Sequence, residues 1–165
     1  MDALDLEILS LIQNDARVAH ASVGGRLGLT APAVHARIKR LERNGIIRGY
    51  LTSISPEAVK QTLLAFVQIT NNATGQDEVA FYKFVCEEPS ILECHIVSGE
   101  ETHLLKIRTD SPSSLRQLLG RLREIPGVAR SLTSISLCTI KEVIGPPLPR
   151  PRFESESNAK SGAAS

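Results

Sequence analysis

The chain has 165 residues, 42% of them hydrophobic, which is enough for two small domains with real cores. Its formal net charge at pH 7 is only +1, so the molecule is not a polycation and any nucleic-acid surface must be local. The sequence has no apolar run of membrane-spanning length and no signal-peptide pattern. We expect a soluble cytoplasmic protein that does not bind membranes.

Three cysteines, Cys86, Cys94 and Cys138, show neither paired nor ligand-like spacing. Their odd number and apolar surroundings predict buried free thiols in a reducing compartment. The sequence also lacks a phosphate-binding glycine loop and a CxxC motif. We therefore expect no metal, no cofactor and no catalytic residues.

Two helices are predicted before residue 28. Asp2 can cap the first, and Asp5 near its N-terminus favours the positive end of the helix macrodipole. The apolar face of this first helix is formed by Leu4, Ile8, Leu11 and Ile12. The second helix, over 21–27, contains Gly24 and Gly25, which weaken it by roughly 1 kcal/mol each relative to alanine.

A third helix is predicted over 30–44, with Thr30 as its N-cap, Pro32 in its first turn and Asn44-Gly45 as its end. Its apolar side carries Val34, Ile38 and Leu41. Its other side is charged with one sign, by Arg37, Lys39, Arg40 and Arg43 against Glu42 alone. A solvated surface is the ordinary interpretation of an isolated basic helix.

The turn Gly28-Leu29-Thr30, which joins the second and third helices, favours DNA binding instead. This spacing is typical of a helix-turn-helix, whose second helix lies in the major groove of DNA. Eight residues are expected to contact double-stranded DNA: Thr30, Ala33, His35, Ala36, Arg37, Lys39, Arg40 and Arg43. The β-branched segment 46–52 predicts a short strand, which would form a wing or begin a linker.

The residue pattern divides the chain into a DNA-binding domain at 1–52, a linker at 53–61, an α/β domain at 62–144 and a disordered tail at 145–165. The third segment has strands at 62–70, 91–97, 102–109 and 128–140. One helix, over 76–88, carries Val79, Tyr82, Val85 and Cys86 on its apolar face, and another has an apolar stripe at Leu115, Leu118, Leu119 and Leu122.

The predicted element order is β-α-β-β-α-β, that of a ferredoxin-like sheet with both helices on one face. The other face would be bare and would carry Leu64, Phe66, Leu104 and Leu132. An uncovered apolar face of this size predicts burial by a second subunit.

Residues 2–142 together resemble the Lrp/AsnC, or feast/famine, family of transcription regulators. The resemblance is carried by 2–9, 14–17, 28–30, 37–42, 45–50, 97–100 and 126–128. It implies an α+β protein with an N-terminal winged helix-turn-helix and a ferredoxin-like domain that dimerises and assembles further. It also implies regulation of transcription in response to an amino acid or related metabolite.

The resemblance implies an effector site near the hairpin turn and the last strand, at interfaces between dimers. Carried over to this chain, its residues are Gly99, Glu101, Thr102, Thr133 and Ser134. The family usually has an aspartate where this chain has Thr102. A carboxylate able to hold a ligand ammonium is therefore missing, and either Glu100 or Glu101 substitutes for it or the effector differs.

Two other functions remain open at this point. Siroheme decarboxylases resemble the same two-domain architecture, and His95 and His103 lie on neighbouring predicted strands. Strand histidines are, however, more often satisfied surface or interface residues than catalytic ones. A helix-turn-helix that mediates protein contacts is the other alternative. Steep salt dependence of binding would distinguish DNA binding from it.

Overall fold

The computed structural model describes residues 1–149. Residues 1–52, with the described residues from Val143 onward, form one unit, and residues 53–142 form the other. The predicted tail at 145–165 lies outside the described residues from position 150. No helix within residues 1–149 is both long and apolar enough to cross a membrane.

The N-terminal unit consists of three helices: α1 (Ala3–Asn14), α2 (His20–Leu27) and α3 (Ala31–Arg43). Asp2 caps α1, and Oγ1 of Thr30 caps α3 by accepting the backbone N–H of Ala33. Gly45, at φ 68°, follows the end of α3 in the left-handed conformation that favours glycine. The three predicted helices are confirmed.

Apolar side chains from all three helices form the core of this unit. Its fully buried members include Ile8 of α1, Val23 of α2 and Val34 of α3. Leu11 and Ile12 pack against them while partly exposed. The helical spacing of apolar residues therefore predicted the packed faces.

A buried carboxylate joins α1 to α3. The Asp5 side chain is 1% exposed, and its oxygens lie 2.8 Å from Nη1 of Arg37 and 2.8 Å from Nη2 of Arg40. The same Arg37 nitrogen is 2.6 Å from Oδ2 of Asp2. Burial alone would raise the pKa of Asp5, but the backbone N–H of Asp2 and the Arg37 guanidinium outweigh it and lower the pKa. Asp5 lies in the first turn of α1, as expected, and in addition it forms an ion pair between the two helices.

The predicted strand at 46–52 is wrong. The backbone N–H groups of Ile46 and Ile47 donate to the carbonyl of Leu41 at 2.9 and 3.2 Å, so this segment closes the end of α3. A strand needs a neighbouring strand, and the four strands described within residues 1–149 all belong to the second unit.

The second unit contains β1 (Leu63–Asn71), α4 (Gln76–Glu87), β2 (Ile91–Ile96), β3 (His103–Thr109), α5 (Pro112–Arg123) and β4 (Val128–Ile135). Its sheet has the order β2-β3-β1-β4, and each pair of neighbours is antiparallel. Alternate residues of β1, such as Val67 and Ile69, share one core with Phe81 of α4 and Leu118 of α5. Both helices cover the same face, which confirms the ferredoxin-like order.

The last strand ends at Ile135, five residues before its predicted end. Ile135 pairs with Ala65, and the N–H of Ser136 still donates to the carbonyl of Leu64. Because β1 begins at Leu63, the chain beyond Ser136 has no further neighbour on β1. The end of β4 is therefore set by where its neighbour β1 begins, and the sequence pattern of β4 itself does not contain that information.

The apolar face predicted for α4 was partly wrong. Phe81 and Val85 face the core, whereas Val79 and Cys86 are exposed. Both sets have helical spacing, and the bulkier Phe81 stripe is buried. The other two cysteines were also predicted to be buried, but Cys94 is only partly buried and Cys138 is exposed. All three cysteines are free thiols.

The face of the sheet opposite the helices is partly apolar and partly charged. Phe66 and Leu132 are exposed there, as predicted, while Leu104 is half-buried. Leu64 is buried, contrary to expectation. Glu142 forms ion pairs with Lys106 and Arg108 of β3 from beyond β4, and Arg108 pairs with Leu64 across the strands.

Adjacent glycines in α2 give a matched stability test. A Cβ at Gly24 would lie 2.3 Å from the carbonyl oxygen of Leu29, whereas one at Gly25 would meet nothing within 4 Å. We expect Gly24→Ala to lower the free energy of unfolding by about 1–3 kcal/mol through steric overlap. Gly25→Ala should raise it by about 0.5–1 kcal/mol, since alanine favours helix. Denaturant titration followed by circular dichroism measures both; equal effects would contradict the close approach at Gly24.

The Asp5 ion pair predicts acid sensitivity. Replacing Asp5 with asparagine should cost about 3 kcal/mol at neutral pH, because two guanidinium groups lose their buried partner. Since the folded pKa of Asp5 is lowered, its contribution is full above the unfolded pKa of about 3.9 and disappears as pH falls through the folded value. The gap in unfolding free energy between wild type and Asp5→Asn should therefore close below about pH 4.

Asp2→Asn is the matched control for this test, because Asp2 is half-exposed and asparagine can still cap a helix. Its loss of stability should be smaller than that of Asp5→Asn. A similar loss for both variants, or a gap that persists in acid, would contradict the role given to Asp5.

Candidate nucleic-acid interface and effector site

The solvent-facing side of α3 carries most of the residues predicted to contact DNA. Six of the eight are exposed, namely Thr30, His35, Ala36, Lys39, Arg40 and Arg43. Ala33 and Arg37 are half-buried. Small residues at 33 and 36 let another surface approach the backbone of α3 closely.

The arginines of α3 divide into two groups by their partners. Arg37 is 24% exposed and is bound by Asp2 and Asp5, so its guanidinium faces α1. Arg40 contacts Asp5 through Nη2 but keeps 47% of its side chain exposed. A guanidinium has five N–H donors, so Arg40 can bind Asp5 and a further acceptor together.

Glu42 is the acidic side chain among the basic ones of α3. Its carboxylate lies 2.8 Å from Nζ of Lys39 and accepts a hydrogen bond from the Tyr50 hydroxyl at 2.9 Å. The Lys39 and Tyr50 donors lower the pKa of Glu42. Lys39 therefore carries its charge beside a fixed counter-charge, whereas Arg43 extends the basic side towards the end of the helix.

One pair of side chains beside the predicted DNA contacts could not be recognised from the sequence. His20, the first residue of α2, and His35 of α3 have ring centroids 5.3 Å apart with an angle of 47° between their planes. The two residues are fifteen positions apart in sequence. Only the helix-turn-helix geometry brings them together, and His20 precedes the apolar pattern that defined α2 from sequence.

Thr102, at the predicted effector site, forms side-chain hydrogen bonds within the sheet. Its Oγ1 accepts the backbone N–H of Asn71 at 2.9 Å and donates to the carbonyl of Ile69 at 3.1 Å. The same oxygen is 2.7 Å from Nδ1 of His103. Thr102 thus fastens the hairpin between β2 and β3 to the end of β1.

The five predicted effector residues lie in two separate places. Gly99, Glu101 and Thr102 are in or beside the β2–β3 turn, whereas Thr133 and Ser134 are on β4. Because β1 separates β3 from β4, the two groups are at least two strand spacings apart, about 10 Å. Within one protomer the structure does not bring them together.

The two strand histidines also fail to converge. His103 is buried between Phe81 and Tyr82, and its pKa is lowered by burial despite the nearby charge of Glu78. His95 pairs with Leu104, the neighbour of His103, so its side chain is on the opposite face of the sheet. A joint catalytic site at these residues has no support in this geometry. Residues 1–149 contain no cluster of three groups suited to a metal ion.

Comparison with known proteins finds a matching family for each of the two units. Residues 1–48 match a winged helix-turn-helix DNA-binding family, and residues 64–144 match the Lrp/AsnC ligand-binding domain. The leucine-responsive regulatory protein of Klebsiella pneumoniae is 36% identical over 144 residues, covering 86% of this chain and 88% of that protein. Its namesake from Escherichia coli K12 is 35% identical over the same shares.

Solved structures show the same fold. A transcriptional regulator of Neisseria meningitidis in complex with L-Met superposes with a TM-score of 0.84 at 28% identity, covering 89% of this chain and 96% of that one. The leucine response regulatory protein of Mycobacterium tuberculosis gives 0.71 at 33% identity, over 86% and 96%. The basic helix-turn-helix and the βαββαβ unit behind these matches define the family: the chain belongs to the Lrp/AsnC transcriptional regulators, with a DNA-binding helix-turn-helix and a ligand-binding domain.

Proposed function

We propose that the exposed basic side of α3 carries the operator contacts of this regulator. The observation that supports this most directly is its one-signed charge: Lys39, Arg40 and Arg43 are exposed on the second helix of a helix-turn-helix. In that motif the second helix lies in the major groove, where cationic side chains meet phosphates and guanine edges.

The contacts divide by the chemistry of each residue. Arg40 and Lys39 contact phosphates or guanine edges, and Arg43 contacts phosphate. Ala33 and Ala36 lie against base edges, His35 lies beside them at the margin of the groove, and Thr30 donates its backbone N–H or hydroxyl to a phosphate. Arg37, bound to Asp2 and Asp5, holds α3 in position on α1. Residues 1–52 are thus the DNA-binding domain and 53–61 the linker, in a protein that acts in the cytoplasm.

The effector proposed for residues 62–144 is an amino acid or a related metabolite. Relatives are named leucine-responsive, and one neighbouring structure contains L-Met. Gly99, Glu101 and Thr102 of one protomer would meet Thr133 and Ser134 of another, because within one chain β1 separates them. Thr102 offers no carboxylate to a ligand ammonium, which gives that role to Glu100 or Glu101.

A second copy of the chain is the partner proposed for the open face of the sheet. Phe66 and Leu132 are 39% and 45% exposed on this face, beside a row of opposite charges formed by Glu93, Lys106 and Glu142. Apolar side chains flanked by charges of both signs suit a two-fold interface, in which each charge can face its opposite. Such homodimers would assemble into higher oligomers.

Selection of bound fragments from random DNA tests the function as a whole. The full chain is incubated with a random-sequence duplex library at near-physiological salt, with and without pooled amino acids. Enrichment of a near-palindromic motif is expected, with half-sites about one DNA turn or a multiple apart. A change in enrichment with one amino acid identifies the effector. If no sequence is enriched and binding is insensitive to salt, the DNA-binding proposal fails.

Arg40→Ala tests the proposed contacts of α3. If Arg40 reads a base, the variant should bind the selected motif about 1–3 kcal/mol more weakly and lose preference at one position. If it contacts a phosphate, all sequences should weaken alike and the slope of log K against log salt should fall by about 1. Arg116→Ala, which removes an exposed arginine from α5, is the control. Unchanged affinity of Arg40→Ala would remove Arg40 from the interface.

Phe66→Asp tests the proposed dimer face. A charge at the centre of an apolar interface should shift the chain towards the monomer in multi-angle light scattering. Val79→Asp is the matched control, because Val79 is also exposed, at 60%, but lies on α4 away from this face. A wild-type chain that is monomeric, or equal effects of both variants, would contradict the proposal.

A further inference from the structure

Two imidazole rings stand together where the helix-turn-helix would meet DNA. His20 begins α2 and His35 lies on the exposed side of α3, and their centroids are 5.3 Å apart. The rings are tilted at 47°, so they do not stack face to face. At this separation one acceptor between them could accept N–H donors from both.

Few charged groups near the two imidazoles could compete with an external anion for binding to them. On α3, Lys39 lies one turn beyond His35 and forms an ion pair with Glu42. The carboxylate of Glu42 also interacts electrostatically with His35, which contributes to lowering the pKa of Glu42. One turn beyond His20 on α2 are the uncharged Val23 and Gly24.

The charged side chains of α1 and of the loop before α2 are either bound to other partners or exposed to solvent. From α1, Asp2 and Asp5 are bound to Arg37 and Arg40. The loop before α2 carries the exposed Asp15 and Arg17. Among the described contacts, neither imidazole forms an ion pair with a carboxylate, so an anion supplied from outside has no internal competitor bonded to the rings.

We propose that His20 and His35 together bind one DNA phosphate, and that the complex takes up at least one proton in doing so. The first helix of a helix-turn-helix crosses the DNA backbone and the second enters the groove, which places this pair at the boundary between them. Histidine is the side chain that changes charge between pH 5 and 8, and a phosphate favours its charged form. His20 is therefore a DNA contact absent from the sequence-based set.

Proton uptake has two measurable consequences. DNA affinity should rise as the pH falls from about 8 to about 6, because binding draws protons from solution. The dependence on salt should also steepen, because a charged imidazole neutralises one more phosphate and changes the slope of log K against log salt by about 0.9. A contact that read only a base edge would leave the slope unchanged.

Fluorescence anisotropy with a duplex carrying the selected motif tests this inference, which rests on the DNA-binding function proposed above. The full chain, His20→Gln, His35→Gln and the double variant are titrated at several salt concentrations at both ends of the pH range. Wild type should bind more tightly at the lower pH, by up to about tenfold per pH unit for each proton taken up. Each single variant should reduce this ratio, and the double variant should abolish it.

Arg116→Gln is the control, because it removes an exposed positive charge from α5 of the other unit, on the helix side of the sheet, and should keep the full pH response. Circular dichroism at both pH values establishes that each variant is folded. A wild-type response that survives in the double variant, or a salt slope that does not change with pH, would overturn the phosphate contact. Loss of DNA binding by wild type at every pH would instead refute the proposed function itself.

Discussion

The buried carboxylate of Asp5 determines how α3 can be used. A carboxylate without a partner inside a three-helix core would be strongly unfavourable, and the two arginines that neutralise it come from α3, the second helix of the helix-turn-helix. In the proposed interface, stability and recognition therefore draw on the same residues. Arg37 is committed to the core, and Arg40 divides its five donors between Asp5 and the outside.

This arrangement also explains which parts of the interface could be read from the sequence. The apolar spacing and one-signed charge of α3 located the helix and its exposed side, and Thr30, Pro32 and Asn44-Gly45 located its ends. Charge and spacing do not state what lies opposite each side chain. Arg37 resembled Arg40 in the sequence, yet Asp2 and Asp5 together hold Arg37 inward, whereas Arg40 contacts Asp5 alone. His20 carried no signal at all, because its partner is brought close only by the turn between helices.

In the second unit, prediction was most reliable where one pattern dominated and weakest where two competed. The leucines of α5 gave a single stripe, and Leu115, Leu118 and Leu122 are buried as expected. Two stripes of α4 were both plausible, and packing against the sheet selected Phe81 over Val79. The end of β4 depended on where β1 begins, at Leu63, which lies far from Ile135 in the sequence. Local periodicity establishes an element, whereas its neighbours establish its length and its buried face.

The place of Thr102 links the sheet to the effector question. At the position where the family resemblance implies a carboxylate, this chain has a hydroxyl whose hydrogen bonds join it to Ile69, Asn71 and the neighbouring imidazole. The side chain is therefore occupied in closing the hairpin, and a ligand that displaced it would leave the N–H of Asn71, in a buried residue, without that acceptor. In the effector site proposed above, a ligand that leaves Thr102 undisturbed would take its polar contacts from the exposed turn and from another protomer. In that proposal the response to the ligand depends on assembly of the domain.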